Sequence, residues 1–234
     1  MSTRARSLFL FGLLAALSSA CQGDPKPEDF GPPVTIAPED MVDDFEDGDD
    51  VILERGSRKG YWYTYKDLTG GTLTPDESAP VMPEMGGANN SVRSVRYFGG
   101  GFKEWGAGLG FQFNKFMNDP PGTYNVSAYT GIAFMAKGNV PIRVNFGVPE
   151  ALPPSEGGTC MDNATMTNCH DVHGLMVNLS REWKQIKVPF SRLSQEGFSG
   201  KMLNWDPTRV VSAGFDVGPV AAFDVSIDDV GFYK

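Results

Sequence analysis

The last segment of the chain, residues 223–233, alternates apolar and polar residues. Its β-branched residues Val225, Ile227 and Val230 are typical of a half-buried β-strand. The same alternation recurs in short stretches along the chain, separated by segments rich in glycine and proline. The pattern predicts strands over residues 41–48, 60–65, 91–97, 108–113, 132–136, 142–148, 175–179, 183–190, 210–217 and 223–233.

About ten short strands with no clear amphipathic helix predict an all-β fold. We expect an antiparallel β-sandwich of the jelly-roll type. Glycines 99–101 should break one strand, and residues 70–87, interrupted by prolines, should form a loop. Two pairs of neighbouring strands are expected, 132–136 with 142–148 and 175–179 with 183–190.

Two adjacent carboxylates, Asp228 and Asp229, stand in the middle of the last strand. A second acid-rich segment, residues 43–47, accompanies the first strand. Buried carboxylates need a cation or several hydrogen bonds to stay charged. We therefore expect the first and last strands to lie side by side, with a hard cation between them.

The beginning of the chain has the pattern of a bacterial export signal over residues 1–21. Arg4 and Arg6 precede an apolar stretch that is too short to span a bilayer. Small residues then lead to Cys21, which resembles the lipidated cysteine of bacterial lipoproteins. Ser18 departs from that signal, which has an aliphatic residue there, and ordinary cleavage before Cys21 is the alternative.

Residues 22–39 are rich in proline and acids, so they are expected to form an extended tether. Residues 40–234 are long enough for one domain with its own core. We therefore place the protein in the bacterial cell envelope, anchored in the outer membrane or extracellular. In this reading the membrane is contacted only through the lipid on the anchor cysteine.

Export also bears on the two remaining cysteines, Cys160 and Cys169. They are close in sequence and are expected to form a disulfide in an oxidising compartment, where the bridge would hold a surface loop. His170, Asp171 and His173 follow them, so a zinc site of two thiolates and two imidazoles is the alternative. The cysteine spacing is unlike that of structural zinc sites, which favours the disulfide.

Three short motifs resemble those of the family-11-type carbohydrate-binding modules, which belong to the galactose-binding-like jelly rolls. The motifs are Asp43-Asp44-Phe45-Glu46, Trp183-x-x-Ile186-x-Val188-Pro189-Phe190-Ser191 and Ile227-Asp228-Asp229-Val230-x-Phe232. The resemblance spans most of residues 41–233. It implies two antiparallel sheets, a structural calcium ion where the first and last strands meet, and sugar binding on a sheet face. The loop 149–168 has no counterpart in it.

The resemblance implies that Glu46 and Asp228 are calcium ligands, joined or flanked by Asp44. Calcium takes six to eight oxygen ligands, many of them carboxylates. The alternation of the last strand agrees, because Val225 and Ile227 turn toward the core and Asp228 turns away from it. The alternative is a solvated acidic edge without a metal ion.

Strand parity also predicts which side chains face away from the core. If Phe111, Val144 and Ile186 lie inside, the polar residues beside them lie outside. Tyr63 and Tyr65 point to one side of their strand and Trp62 points to the other. One of these two sets is therefore expected in the core and the other on the exposed side, and the alternative is that both sets are packed against the protein. The candidate sugar-binding residues are Tyr63, Tyr65, Gln112, Arg143, Asn145, Gln185 and, from the cysteine loop, His170. Trp105, Trp183 and Trp205 are assigned structural roles.

The net charge of −9 argues against binding to nucleic acid, whose phosphates would be repelled. The sequence contains neither the G-x-S-x-G nor the H-E-x-x-H motif of common hydrolases. We predict a monomeric, non-catalytic module that binds polysaccharide or oligosaccharide. One alternative is an envelope structural or adhesion lipoprotein with a protein partner. Another is a small glycoside hydrolase or lyase, because carboxylate pairs cannot be recognised from sequence.

Overall fold

The computed structural model describes residues 30–115, 118–162 and 169–234. These residues form twelve β-strands and three single-turn 3-10 helices, which confirms the predicted all-β class. The strands are β1 Met41–Asp43, β2 Trp62–Lys66, β3 Thr72–Thr74, β4 Glu84–Met85, β5 Arg93–Gly100, β6 Ala107–Gln112, β7 Gly131–Gly138, β8 Ile142–Gly147, β9 His173–Val177, β10 Lys184–Pro189, β11 Ser212–Val217 and β12 Phe223–Tyr233. The 3-10 helices are Pro149–Ala151, Pro154–Glu156 and Phe190–Arg192.

The strands form two antiparallel sheets. One has the order β10-β7-β12-β5-β3, with β1 paired to β12 and β4 paired to β5. The other has the order β2-β6-β11-β8-β9. The predicted two-sheet antiparallel sandwich is therefore confirmed. Among the described residues, no helix is long and apolar enough to cross a membrane.

The core lies between the sheets and is built from the inward-pointing residues of strands in both sheets. The ring of Phe134 on β7 packs edge-on against that of Phe215 on β11, with 5.0 Å between centroids. Tyr97 on β5 crosses the core, and its hydroxyl donates to the carbonyl of Phe215 at 2.9 Å. The predicted inward residues Phe111 and Val144 are fully buried in this cluster, so strand parity is correct for these strands.

The first and last strands lie side by side, as predicted. Met41 pairs with Gly231, and Asp43 pairs with Val230. The pairing of β12 with β7 shifts by one residue between Asp228 and Gly231, and Asp229 adopts a positive φ of 48° at this bulge. The bulge allows one long strand to contact β1, β5 and β7.

Two predicted strand pairs are wrong. β7 lies in the seven-stranded sheet and β8 in the five-stranded sheet, and β9 and β10 are separated in the same way. The residues between such strands cross the end of the sandwich instead of forming a hairpin turn. Alternation shows which side of a strand is buried, but a short connection is compatible with either path.

The predicted break at glycines 99–101 is also wrong for the first two of them, because β5 continues through Gly99 and Gly100. A Cβ on Gly99 would lie 1.9 Å from the carbonyl oxygen of Thr72. The glycine therefore permits close approach of β3, which pairs with this end of β5. Residues 70–87, predicted as loop, contain β3 and β4, because β3 pairs with this end of β5 and β4 pairs with its other end, at Arg93 and Ser94.

Residues 30–39, the end of the predicted tether, lie against the seven-stranded sheet. Val34 exchanges two hydrogen bonds with the side-chain amide of Gln185, at 2.6 and 2.8 Å. The ammonium of Lys187 donates to the carbonyl of Pro32 at 2.6 Å. The predicted signal segment and Cys21 lie outside the described residues.

Candidate functional site

The outward side of the five-stranded sheet brings together most of the predicted ligand-binding residues. Strand register aligns Tyr63 with Gly110, Gly214 and Asn145 across four strands. The next row aligns Tyr65 with Gly108, Asp216 and Arg143. We call this surface the tyrosine face and define it by Tyr63, Tyr65, Gln112, Arg143, Asn145 and Asp216, with the glycines between them.

Glycines determine how the two tyrosine rings lie on the tyrosine face. A Cβ on Gly108 would lie 2.5 Å from Cζ of Tyr65, and a Cβ on Gly214 would lie 2.4 Å from the Tyr65 hydroxyl. A Cβ on Gly110 would lie 3.2 Å from the Tyr65 ring and 3.5 Å from the Tyr63 ring. The rings therefore lie across the neighbouring strands, close to their backbones, and do not project into solvent.

A third aromatic residue extends this surface. The ring centroids of Tyr63 and Tyr65 are 5.7 Å apart, and those of Tyr65 and Trp105 are 6.1 Å apart. Trp105 is 50% exposed, which differs from the structural role predicted for it. It lies in the connection before β6, where no alternation pattern could indicate its direction.

Asp216 is the carboxylate at the centre of the tyrosine face. One carboxylate oxygen accepts a hydrogen bond from the Tyr65 hydroxyl, and the other accepts one from the side-chain amide of Asn145 at 2.6 Å. Burial raises the pKa of Asp216 to about 6, although the Tyr65 hydrogen bond and the Arg143 charge act in the opposite direction. Asp216 was not among the predicted site residues, although it alternates with the buried residues Phe215 and Val217 on β11 and therefore turns outward.

Arg143 lies on the tyrosine face but is strongly engaged by the protein itself. Its Nη2 donates to the backbone carbonyls of Val172 at 2.9 Å and Ser194 at 2.8 Å. Its Nε lies 3.4 Å from a carboxylate oxygen of Glu196. The guanidinium therefore ties two loops to β8 and contributes a fixed positive charge beside Asp216.

The other two predicted ligand residues lie elsewhere. His170 forms a 3.0 Å contact with Glu156 in the cysteine loop, and this contact raises the His170 pKa. The charge of Glu156 also contributes, after burial, to the raised pKa of Tyr63. Gln185 lies on the other sheet, where its amide binds Val34.

The predicted disulfide is present. Cys160 and Cys169 are bonded, with 5.6 Å between their Cα atoms, and both residues are buried. The alternative zinc site is excluded, because both thiols are consumed by the bridge. The ring of His173 is buried and one of its nitrogens contacts the carbonyl of Leu203 at 3.0 Å.

The predicted calcium ligands lie at the junction of β1 and β12. One oxygen of Glu46 accepts hydrogen bonds from the Ser91 hydroxyl and from the backbone amides of Val92 and Arg93, at 2.8–2.9 Å. These bonds lower the pKa of Glu46. Asp228 accepts a bond from the amide of Ala88 at 2.7 Å. The segment that follows β4 thus satisfies both carboxylates.

Burial and neighbouring negative charges both raise the pKa values of the aspartates at this junction. Burial raises the pKa of Asp228 to about 6. It also raises the pKa of Asp229, with smaller contributions from the charges of Asp44 and Glu46. Within the described part of the chain, however, no three acid, histidine or cysteine side chains converge as a metal-binding group.

Asp43 occupies the inner side of the same junction. Its carboxylate accepts hydrogen bonds from Nε1 of Trp62 at 2.6 Å and from the amide of Phe45 at 2.9 Å. Burial raises its pKa to about 7. Asp43, a residue of the first family motif, therefore links β1 to Trp62 in the core. Trp62 points to the opposite side of β2 from Tyr63 and Tyr65, so it is the aromatic residue of this strand that packs inside.

No protein-family profile matches the chain. The chain is 29% identical over 209 residues to Endoglucanase 3 of Fibrobacter succinogenes (strain ATCC 19169 / S85); the match covers 85% of this chain and spans 27% of the length of that relative.

Solved structures with a similar arrangement of strands are carbohydrate-binding modules from Clostridium thermocellum. A family 11 module in complex with a β-1,3-1,4-mixed-linked tetrasaccharide has a TM-score of 0.49 and 14% identity, covering 83% of this chain and 94% of its own. The family 30 module of a cellulosomal cellulase has a TM-score of 0.47 and 13% identity, covering 80% and 97%. The chain is thus similar in sequence to part of an endoglucanase, and the solved structures that it resembles include carbohydrate-binding modules of families 11 and 30.

Proposed function

We propose that the tyrosine face binds a polysaccharide chain and that the protein does not cleave it. The observation that carries this proposal is the placement of the Tyr63 and Tyr65 rings beside Asp216 and Asn145 on one glycine-lined sheet surface. Trp105 continues the aromatic surface on one side.

This combination suits the chemistry of a sugar. A pyranose ring has an apolar face, which packs on an aromatic ring, and a rim of hydroxyls that both donate and accept hydrogen bonds. Asp216 supplies acceptors and Asn145 supplies an amide within reach of the same rings. Because Asp216 and the Tyr65 hydroxyl already hold each other, a ligand would meet groups that need little ordering on binding.

The first probe is a mixed-linked β-glucan tetrasaccharide, the class of sugar found with the solved family 11 module. By isothermal titration calorimetry, we expect Tyr63→Ala and Tyr65→Ala each to lose about 1–2 kcal/mol of binding free energy, roughly fivefold to thirtyfold in affinity. Phe98→Ala is the matched control, because Phe98 is a partly exposed aromatic residue on the opposite sheet.

Affinity gels extend the test to other glycans. If the protein is not retarded by any plant, fungal or bacterial polysaccharide, the proposal fails. If a pull-down from envelope extract then recovers one stoichiometric protein, the adhesion alternative is favoured instead.

Catalysis is the competing use of the same surface, because Asp216 has a raised pKa and Glu196 contributes a second carboxylate near it. Glycoside hydrolysis needs one carboxyl group to donate a proton and another to attack or activate water. Here Asp216 is held by Tyr65 and Asn145, and Glu196 lies beside Arg143. We therefore expect no release of reducing sugar from labelled β-glucan; release that is abolished by Asp216→Asn would establish a hydrolase.

Calcium at the junction of β1 and β12 stays a prediction from the family resemblance. If Glu46, Asp228 and Asp44 take part in binding the ion, chelation should lower the melting temperature by several degrees, and added calcium should restore it. Glu46→Gln should remove most of this response, whereas Glu182→Gln, an exposed acid outside the junction, should keep it. A melting temperature that chelator leaves unchanged would exclude a structural calcium ion.

Export and anchoring also stay predictions, since residues 1–29 lie outside the described part of the chain. We propose that the mature protein begins at Cys21, carries a lipid there, and holds its sugar-binding domain at the cell surface. Mass spectrometry of the mature N-terminus distinguishes lipidated Cys21 from the free product of ordinary signal cleavage.

A further inference from the structure

The loop before β6, residues 101–106, is fixed to the core and carries Trp105 at the protein surface. Phe102 is buried, and its ring centroid lies 6.4 Å from that of Phe223 in the core. Trp105 follows in the same loop and is 50% exposed beside Tyr65. The loop therefore anchors one aromatic ring in the core and presents another next to the tyrosine face.

Asp67 binds the two backbone amides that flank Trp105. One oxygen of its carboxylate accepts a hydrogen bond from the amide of Glu104 and another from the amide of Gly106, both at 3.0 Å. The amide of Asp67 in turn donates to the carbonyl of Gly106 at 2.8 Å. The residue is 1% exposed although it is an acid in a loop, so its carboxylate is committed to these bonds.

Thr69 occupies the other oxygen of the same carboxylate. Its amide donates to that oxygen at 3.0 Å, and its hydroxyl donates to it as well. The Thr69 hydroxyl oxygen also accepts a bond from the amide of Lys103 at 2.9 Å. Burial raises the pKa of Asp67, but the bonds from Thr69, Gly106 and Glu104 outweigh it and hold the pKa below its usual range. Hydrogen bonds to an ionised acceptor are stronger than those to a neutral one, so this carboxylate holds the loop firmly.

Gly106 brings the backbone that follows Trp105 directly against β11. It has a φ of 101°, which favours glycine. A Cβ at this position would lie 2.0 Å from the carbonyl oxygen of Val217 on β11. Asp67 therefore holds the loop against a fixed surface, and both sides of Trp105 are constrained.

We propose that Trp105 is a third aromatic contact for the glucan and that Asp67 is the residue that positions it. This inference rests on the proposed function of the tyrosine face. The ring of Tyr65 lies between the other two, with centroids 5.7 Å from Tyr63 and 6.1 Å from Trp105. A ring on a loop that is already ordered loses little conformational freedom when a sugar packs on it. Because Asp67 is buried, it acts through Trp105 and does not touch the sugar.

Calorimetric titration of the full chain with the mixed-linked β-glucan tetrasaccharide tests both parts. Trp105→Ala should weaken binding about threefold to tenfold. Asp67→Asn should weaken it about threefold, because asparagine has one acceptor oxygen and an NH₂ group that cannot accept the bonds that the second oxygen receives. When Asp67→Asn is added to Trp105→Ala it should cause no further loss, since a positioning residue has no effect on binding once its ring is gone.

Asp206→Asn is the matched control. Asp206 accepts bonds from the amide and the hydroxyl of Thr208, at 3.0 and 2.6 Å, in the same Asp-x-Thr turn that Asp67 forms with Thr69. In place of the amides of a second loop it binds the Arg209 guanidinium. Asp206→Asn should therefore leave the affinity for the tetrasaccharide unchanged.

Thr69→Val is a second, milder variant that replaces Asp67→Asn if the latter does not fold. It removes the hydroxyl that joins Asp67 to the amide of Lys103. It should weaken binding about twofold, and this loss should also disappear when Trp105→Ala is present.

Three outcomes would overturn the inference. The first is a Trp105→Ala variant that binds the tetrasaccharide as tightly as the wild type. The second is a loss from Asp67→Asn or Thr69→Val that is equally large without Trp105, which would show that Asp67 acts on the fold and not on this ring. The third is an equal loss in Asp206→Asn.

The same titrations separate this inference from the proposed function. If Tyr65→Ala weakens binding and Trp105→Ala does not, the proposed function stands and the inference fails. If the wild-type protein does not bind the tetrasaccharide, the first test of the proposed function has failed and the inference fails with it.

Discussion

Asp216 shows how one carboxylate links the stability of the sheet to the proposed site. It is largely removed from solvent, its oxygens are held by Tyr65 and Asn145, and its pKa is raised to about 6 by burial. A buried carboxylate costs stability when it is charged. Retaining such a group on a sheet surface is consistent with a binding role, because functional groups often lower stability.

The raised pKa of Asp216 predicts the sign of its effect on stability. Between pH 4 and pH 6 the native carboxyl keeps a proton that the unfolded chain has lost, so this group makes the unfolding free energy fall as pH rises. Asp43, at about 7, and Asp228, at about 6, act in the same direction. In the Asp216→Asn variant, the decrease in unfolding free energy between pH 4 and pH 7 should be smaller than in the wild type by on the order of 1–3 kcal/mol.

Urea unfolding at several pH values measures this effect. The matched control is Asp224→Asn, because the bond with Arg96 lowers the pKa of Asp224 and its removal should change the pH slope in the opposite direction. An Asp216→Asn variant whose unfolding free energy has the same pH dependence as the wild type would contradict the prediction.

At the scale of elements, β6 and β11 are unusual because their outward positions carry glycines next to the tyrosines of β2. Glycine in a strand interior usually weakens the strand, and it often marks a place where another group approaches closely. In this protein the approaching groups are the Tyr63 and Tyr65 rings. The glycines therefore determine the flat shape of the proposed binding surface.

Gly108→Ala tests this role of glycine. The new methyl group would lie 2.5 Å from the Tyr65 ring and 2.6 Å from an Asp216 oxygen, so the ring must turn away and its hydrogen bond must change. We expect β-glucan affinity to fall about tenfold. Gly218→Ala is the control, because a Cβ there has no heavy atom within 4 Å.

Calorimetry and thermal melting separate the effect of Gly108→Ala on binding from its effect on folding. The melting temperature should fall by only a few degrees, since the displaced ring lies at the surface. If both glycine variants bind glucan like the wild type, the tyrosine rings do not need this arrangement.

At the scale of the whole molecule, the two sheets are joined across a core in which both contribute aromatic rings, such as Phe134 and Phe215. The disulfide lies outside this core and closes a short loop, so its effect on stability comes mainly through the unfolded chain. For a separation of 9 residues, the chain-entropy estimate is about 2–3 kcal/mol.

The double variant Cys160→Ser/Cys169→Ser should therefore unfold about 2–3 kcal/mol more easily in denaturant while keeping its β-glucan affinity. Wild-type protein treated with reductant should behave in the same way. A large loss of glucan affinity in the folded variant would show that the cysteine loop, with Glu156 and His170, contacts the sugar directly.

Alternation along the chain was enough to predict all the strands except β3 and β4, their buried sides and the outward direction of residues such as Gln112 and Asn145. These properties depend on nearest neighbours along one strand, which the period of two records directly. The disulfide was predictable for a similar reason, because its cysteines are close in sequence.

Sheet membership was decided only by the tertiary structure. It separates Gln185 from Asn145, places β7 and β8 in different sheets, and sets Tyr65 against Asp216, which is 151 residues away in sequence. Contacts of this kind depend on which strands pair across the whole chain. The sequence of a single strand shows which side chains turn outward, but only the assembled sheet decides which outward side chains meet.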